Sequence, residues 1–277
     1  MLPIRDANPT RRTPWVTIAL IAANVVVFLF WQPTFASEGR QQAFFFCNAL
    51  IPYEVTHGTN LAQGGPAAAR ALDQQLGDQF GPGAGPAIQA FLQRRCPDKS
   101  WLASVFVSMF LHGGWLHIGG NMLYLWIFGN NVEDRLGRLV FVVFYLVGGL
   151  AATALQVLFA PDSVIPNVGA SGAIAAVLGA YLVLFPHARI LTLVMFFFIT
   201  WVELPALVVL GFWFVLQLIS GLSELGALGQ QVNSGVAYWA HVGGFVAGVV
   251  MTLLLFRGRR QPVAYEPLPP RPDLWDP

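Results

Sequence analysis

The sequence predicts an all-α polytopic membrane protein that crosses the bilayer six times. Composition is the first reason. Of the 277 residues, 56% are hydrophobic and 10% charged, whereas a soluble domain carries about 25% charged residues. Segmentation is the second. The apolar residues gather into six runs close to the roughly 20 residues that cross the hydrocarbon. The net charge of +1 argues against a nucleic-acid partner.

The first run, 14–31, follows Arg5, Arg11 and Arg12. It has no small-residue cleavage site, so it reads as a retained span rather than a signal peptide. The second, 110–130, is the most polar. The third, 139–159, is bounded by Arg138 and Pro161. The fourth, 169–185, is short and ends at Pro186. The fifth is 204–222. The sixth, 236–256, ends at Arg257, Arg259 and Arg260. Between the fourth and fifth lies 190–201, apolar and aromatic but too short to span. It reads as interfacial or re-entrant, with Glu203 at the membrane boundary.

Basic residues set the orientation. With the N-terminus cytoplasmic, the inner segments hold Arg5, Arg11, Arg12, Arg135, Arg138, Arg189 and the arginines after 256. The short outer loops 160–168 and 223–235 hold no Lys or Arg. Residues 1–13 are then a cytoplasmic segment and 14–256 a six-helix membrane domain. Residues 257–277 form a disordered, proline-rich cytoplasmic tail. The long outer loop, 32–105, is rich in Gly, Ala and Gln, and reads as irregular. It carries Cys47 and Cys96, too few for a disulfide scaffold. On an oxidising outer side a single bond between them and two free thiols are both open. The expected compartment is a bacterial inner membrane, with both termini cytoplasmic.

Polar residues inside spans are costly and are functional candidates. Ser171 stands in the first turn of the fourth span. His241 lies about five residues into the sixth, roughly 8 Å deep. His112, His117 and Asn121 occupy the outer half of the second. Three spans thus place polar groups at one depth. Ser171, Ala175 and Gly179 form a small-residue stripe, as do Ala240, Gly244 and Gly248. Pairing such stripes brings helix backbones close and would set Ser171 beside His241. Taken alone, Ser171 would more often be a helix cap and His241 a packing donor. Matched depth favours chemistry.

A serine hydroxyl needs a base to become a nucleophile, and His241 can supply it. No Asp or Glu lies at this depth, so the economical reading is a Ser–His dyad. The N–H groups at the helix start by Ser171 are free, and His117 and Asn121 share a helical face. All three are candidates to bind an oxyanion. Glu133 and Arg135 read as braces of the cytoplasmic turn. His57 and His187 read as surface residues, and His112 as a loop anchor or a holder of water.

His117-Ile-Gly-Gly-Asn121, Gly169-Ala-Ser171-Gly172 and Ala240-His241-Val-Gly-Gly244-Phe-Val-Ala-Gly248, in that order, resemble a rhomboid intramembrane serine protease. The resemblance covers roughly 108–256. It implies a six-helix bundle that cleaves other membrane proteins in or beside their transmembrane segments. Ser171 would be the nucleophile, His241 the base, and His117 with Asn121 the oxyanion hole. Gly169, Gly172, Ala240, Gly244 and Gly248 would pack the site. The fifth span and the loop 223–235 would be gate and cap. The implied partners are transmembrane substrates and the bilayer, with no cofactor and no metal. Two positions depart from the family pattern. Ala175 stands where many members stack an aromatic ring on the histidine, so Trp239 or Tyr238 is expected to orient that ring. Trp101-Leu-Ala-Ser104 stands where many have a Trp-Arg pair.

The rivals fare less well. The His-Glu-x-x-His string of a zinc protease and paired aspartates within spans are both absent from the sequence. A small transporter would place its polar groups near the midplane. A non-catalytic, rhomboid-like binding protein or chaperone remains the alternative.

Overall fold

The computed structural model of the chain describes residues 1–195, 199–226 and 236–256. In chain order its elements are β1 (Leu2–Asp6), α1 (Trp15–Val26), α2 (Glu38–Asn48), α3 (Pro52–His57), α4 (Gly65–Phe80), α5 (Gly85–Arg95) and α6 (Trp101–Val107). There follow α7 (Trp115–Tyr124), α8 (Asn130–Leu136), α9 (Arg138–Phe159), α10 (Ser171–Leu184), β2 (Arg189–Met195), β3 (Ile199–Pro205), α11 (Ala206–Glu224) and α12 (Tyr238–Leu255). The expected tail 257–277 and most of the cap loop 223–235 lie outside the described residues.

Three helices, α9, α11 and α12, are long and apolar enough to cross a bilayer. Trp101–Phe110 and Trp115–Leu136 make a fourth if counted as one span bent by 77°. Trp15–Trp31 and Ser171–Leu184 are apolar but shorter. The second expected run, 110–130, is therefore not one straight helix. Gly114 is fully extended and breaks it, and the helix continues through Glu133 to Leu136. Glu133 earns its place there by capping α1. Its carboxylate accepts from the Val16 and Thr17 backbone N–H groups, at 3.0 and 2.7 Å, and from the Thr17 hydroxyl at 2.8 Å. A carboxylate at a helix N-terminus answers both its free donors and its dipole. The brace read for Glu133 is thus present.

α10 is the centre of the molecule. Ala173 through Tyr181 are all buried, as befits a helix apolar on every side. It packs against α9 and α12, and the small-residue stripes meet as their spacing predicts. A methyl built on Gly248 would stand 2.0 Å from the Ala176 carbonyl oxygen, and one on Gly244 2.1 Å from that of Gly172. One on Gly179 would stand 2.2 Å from the Phe245 carbonyl oxygen. The two backbones touch, and only glycine fits there.

The chain is not wholly α. The run read as interfacial or re-entrant forms an antiparallel hairpin of β2 and β3, and β1 from the N-terminal segment adds to it in the order β1-β2-β3. Its alternation is the physical reason. Ile190 and Thr192 are buried, while Leu191 and Leu193 alternate onto the other face, a period of two that a strand satisfies and a helix does not. The sheet grips the inner end of α10: Asp6 Oδ2 accepts from the Tyr181 hydroxyl at 2.8 Å and from Asn131 Nδ2 at 2.6 Å.

The outer loop is a small helical domain rather than an irregular segment. Ile51, Tyr53, Leu61, Ala68, Leu72, Leu76 and Leu92 share a core with Val164 from the loop before α10. Cys47 and Cys96 are disulfide-bonded, which settles the open choice. Lys99 Nζ meets Glu54 Oε2 at 2.7 Å, and neither side chain is more than 4% exposed. Burial raises the Glu54 pKa and lowers that of Lys99, and their attraction opposes both shifts. The domain holds the approach to α10. Asn167 N donates to Leu50 O at 2.7 Å, Leu50 N to Ser108 Oγ at 2.5 Å, and Gly169 N to Ser108 O at 2.9 Å.

Candidate active site

Gly169 delivers the chain to α10. Its φ of +129° is a conformation that L side chains rarely adopt, and a methyl on it would stand 2.8 Å from His117 Nε2. Glycine is required for both reasons. Ser171 is then the first residue of α10. The first bond within the helix is Ile174 N to Ala170 O at 3.0 Å, which leaves the N–H groups of residues 171–173 without acceptors in the helix.

Ser171 Oγ lies 2.8 Å from His241 Nε2. α12 presents His241 because Gly244 seats directly on Gly172, one turn below the pair. Ala240 closes the neighbourhood, its N–H donating to Gln156 Oε1 of α9 at 3.1 Å. The other side of the ring differs from expectation. Trp239 stacks on Phe159, centroids 3.8 Å apart, and does not orient His241. That contact falls to α11: Gln217 Oε1 lies 2.7 Å from His241 Nδ1, and the Trp213 ring sits 5.9 Å from the imidazole.

His117 and Asn121 project from α7. The Gly113 backbone N–H donates to His117 Nδ1 at 3.2 Å. A neutral imidazole with Nδ1 as acceptor carries its hydrogen on Nε2, the nitrogen that faces Gly169. Asn121 Nδ2 is buried with no protein partner, a donor with spare capacity. His112 is fully buried, its backbone clamped by Gln32, which donates to its carbonyl at 2.5 Å and accepts from its N–H at 3.0 Å. Its ring lies 5.2 Å from that of His117. Behind Ser171 is a cavity of about 40 Å³, lined in part by Gln156, Asn167, Thr153 and Ser108. Asn167 Nδ2 is likewise unpartnered. Among the described residues, no cluster of His, Cys, Asp or Glu could hold a metal ion.

Sequence reasoning missed Gln217, Gln156, Trp213 and Gln32. The two span glutamines left a signal, a lone amide in an otherwise apolar run. Trp213 left none, since aromatics crowd that span.

The Rhomboid domain matches residues 99–258. Rhomboid protein 1, mitochondrial, of Saccharomyces cerevisiae is 38% identical over 95 residues, 33% of this chain and 28% of that protein. Presenilin-associated rhomboid-like protein A, mitochondrial, of Danio rerio is 33% identical over 111 residues, 38% of this chain and 29% of that protein. The chain therefore spans less than a third of either relative. RHOMBOID-like protein 6, mitochondrial, of Arabidopsis thaliana is 30% identical over 267 residues, 91% of this chain and 72% of that protein.

Proposed function

The chain belongs to the rhomboid family, and from that premise we propose that it is an intramembrane serine endopeptidase. The observation that carries this reading is the 2.8 Å contact of Ser171 Oγ with His241 Nε2, made between two apolar helices. A hydroxyl and an imidazole placed so in lipid answer to chemistry more readily than to packing.

The steps balance with the groups present. Ser171 Oγ attacks the scissile carbonyl carbon while His241 Nε2 takes its proton. The oxyanion accepts from Asn121 Nδ2, from His117 Nε2–H and from the Ser171 backbone N–H. The C–N bond breaks as His241 returns the proton to the leaving amine, and an acyl ester remains on Ser171. Water then attacks the ester, gives a proton to His241, and Ser171 recovers it as the acid leaves. The 40 Å³ cavity is polar and large enough to hold water for that second half.

The substrates are transmembrane segments of other proteins, entering from the lipid beside α11. Six spans, both termini cytoplasmic and a bacterial inner membrane complete the proposal; the two shorter apolar helices beyond the four candidate spans, Trp15–Trp31 and Ser171–Leu184, would supply the remaining crossings. Reconstitution in liposomes with a labelled single-span substrate tests it. Wild type should release the fragment, and Ser171→Ala or His241→Ala should lower the rate by roughly 10⁴-fold or more. Equal release by all three proteins overturns the reading. Tight substrate capture with no cleavage by any of them would favour the binding-protein alternative.

A further inference from the structure

Gln217 is a polar group of α11 that touches the candidate site and that the proposed chemistry has not used. Its Oε1 lies 2.7 Å from His241 Nδ1, and Ser171 Oγ lies 2.8 Å from Nε2 of the same ring. We infer that Gln217 is the positioning residue of the base: it selects the tautomer of His241 and fixes the plane of its ring. The inference rests on the protease reading above.

The tautomer argument is one of hydrogen count. A neutral imidazole carries one N–H and one lone pair. To take the serine proton, Nε2 must be bare, so Nδ1 must hold the hydrogen and needs an acceptor. Gln217 Oε1 is that acceptor. With the acceptor gone, the Nε2–H tautomer competes, and in it the imidazole donates to the hydroxyl and cannot accept its proton. Hydrogen bonding at one ring nitrogen commonly sets the state of the other.

The choice of an amide also has a reason. A carboxylate would orient the ring more strongly but is costly to hold charged inside a bilayer. A glutamine accepts the same bond while neutral. Trp213 stands four residues earlier on α11 and so on the same helical face, its ring beside the imidazole. Both neighbours of the outward side of His241 thus come from one helix. Ala175, where many family members carry a ring, is fully buried against Gly244.

Gln217→Leu removes the acceptor at similar size, and Gln217→Glu keeps it. The test uses the full chain in detergent and two readouts. The first is the rate at which a small fluorophosphonate acylates Ser171, which needs no substrate helix. Gln217→Leu should slow it roughly three- to tenfold, the worth of one hydrogen bond, with the thermal midpoint unchanged. Gln217→Glu should restore or exceed the wild-type rate. With a transmembrane substrate the loss should fall on kcat and not on KM. The second readout is the ¹⁵N spectrum of the histidine rings. Wild type should show His241 protonated at Nδ1 alone, and Gln217→Leu a mixture of tautomers. A wild-type acylation rate in Gln217→Leu, or an unchanged His241 spectrum, overturns the inference. If Ser171 of the wild type resists the probe altogether, the protease reading fails, and the ¹⁵N spectra still decide whether Gln217 sets the ring.

Discussion

Two of the helices packed on α12 hold the surroundings of the same histidine by opposite means. On one side α10 meets α12 backbone to backbone, through glycines at 179, 244 and 248 that leave no room for a methyl group. On the other side α11 reaches α12 through long side chains: Gln217 and Trp213 on His241, and Phe214 on Phe245. Only Ala206, Val209, Leu210 and Gly221 of α11 are buried. Leu216 and Ile219, either side of Gln217, are more than 40% exposed. Ser171 and His241 are thus fixed to each other by contacts that tolerate no displacement. Gln217, the partner of His241 Nδ1, hangs on a helix that makes few such contacts.

The contrast can be broken most sharply at Gly248. Gly248→Leu drives a side chain into the Ala176 backbone and should cost more than the roughly 1–3 kcal/mol of ordinary overpacking. Size exclusion and thermal unfolding should then find little folded protein. A wild-type melting curve would show that the α10–α12 seat can yield. Next in size is the helical domain of the long loop, which holds the segment before Ser171 through the bridge of Leu50 with Asn167. Replacing Cys47 and Cys96 by serine opens a loop of 49 residues, worth about 4 kcal/mol on a chain-entropy estimate. Limited proteolysis should cut between residues 38 and 95 well before the membrane helices are touched.

A smaller effect is expected at the inner end of α10. Burial pushes the Asp6 carboxyl up to about 6, partly opposed by the hydrogen bond from Tyr181. The folded protein thus binds this proton more tightly than the unfolded chain does. The resulting stabilisation is complete below the unfolded value of 3.8, and it is lost as pH rises through about 6. The melting temperature should therefore fall as pH rises across that window, and Asp6→Asn should flatten the slope and melt higher at neutral pH. An unchanged slope in the variant would remove Asp6 as its source. The smallest effect belongs to α11. Gly211 has open space where a side chain would go, so Gly211→Leu should shift stability by no more than about 0.5 kcal/mol. A loss as large as that of Gly248→Leu would erase the difference between the two helices.

The same contrast explains what could be read from sequence. The α10–α12 contact was legible because glycine and alanine recur every fourth residue, and that spacing has one geometric use. With it came the neighbourhood of Ser171 and His241. The contact of Gln217 was not legible, because an amide in a span fixes neither its partner nor its rotamer. The outer domain was hidden for another reason. Its apolar residues are sparse among Gly, Ala and Gln, and its core closes only when Val164 arrives from beyond α6 to α9. The sheet escaped because its strands are short and one of them, β1, comes from the far end of the chain. Disulfide pairing depended on that unread fold.

One dimension of α10 has a further meaning. The helix has 14 residues, about 21 Å at 1.5 Å per residue, against a hydrocarbon layer of roughly 30 Å. Asp6 pins its lower end to the sheet through Tyr181. The helix therefore works as a ruler that runs from the sheet at one end to Ser171 at the other. If the protein is the protease proposed above, the shortfall of roughly 9 Å would set how far beneath one membrane surface Ser171 lies. One helical turn added to or removed from α10 would move Ser171 by about 5.4 Å along the helix axis.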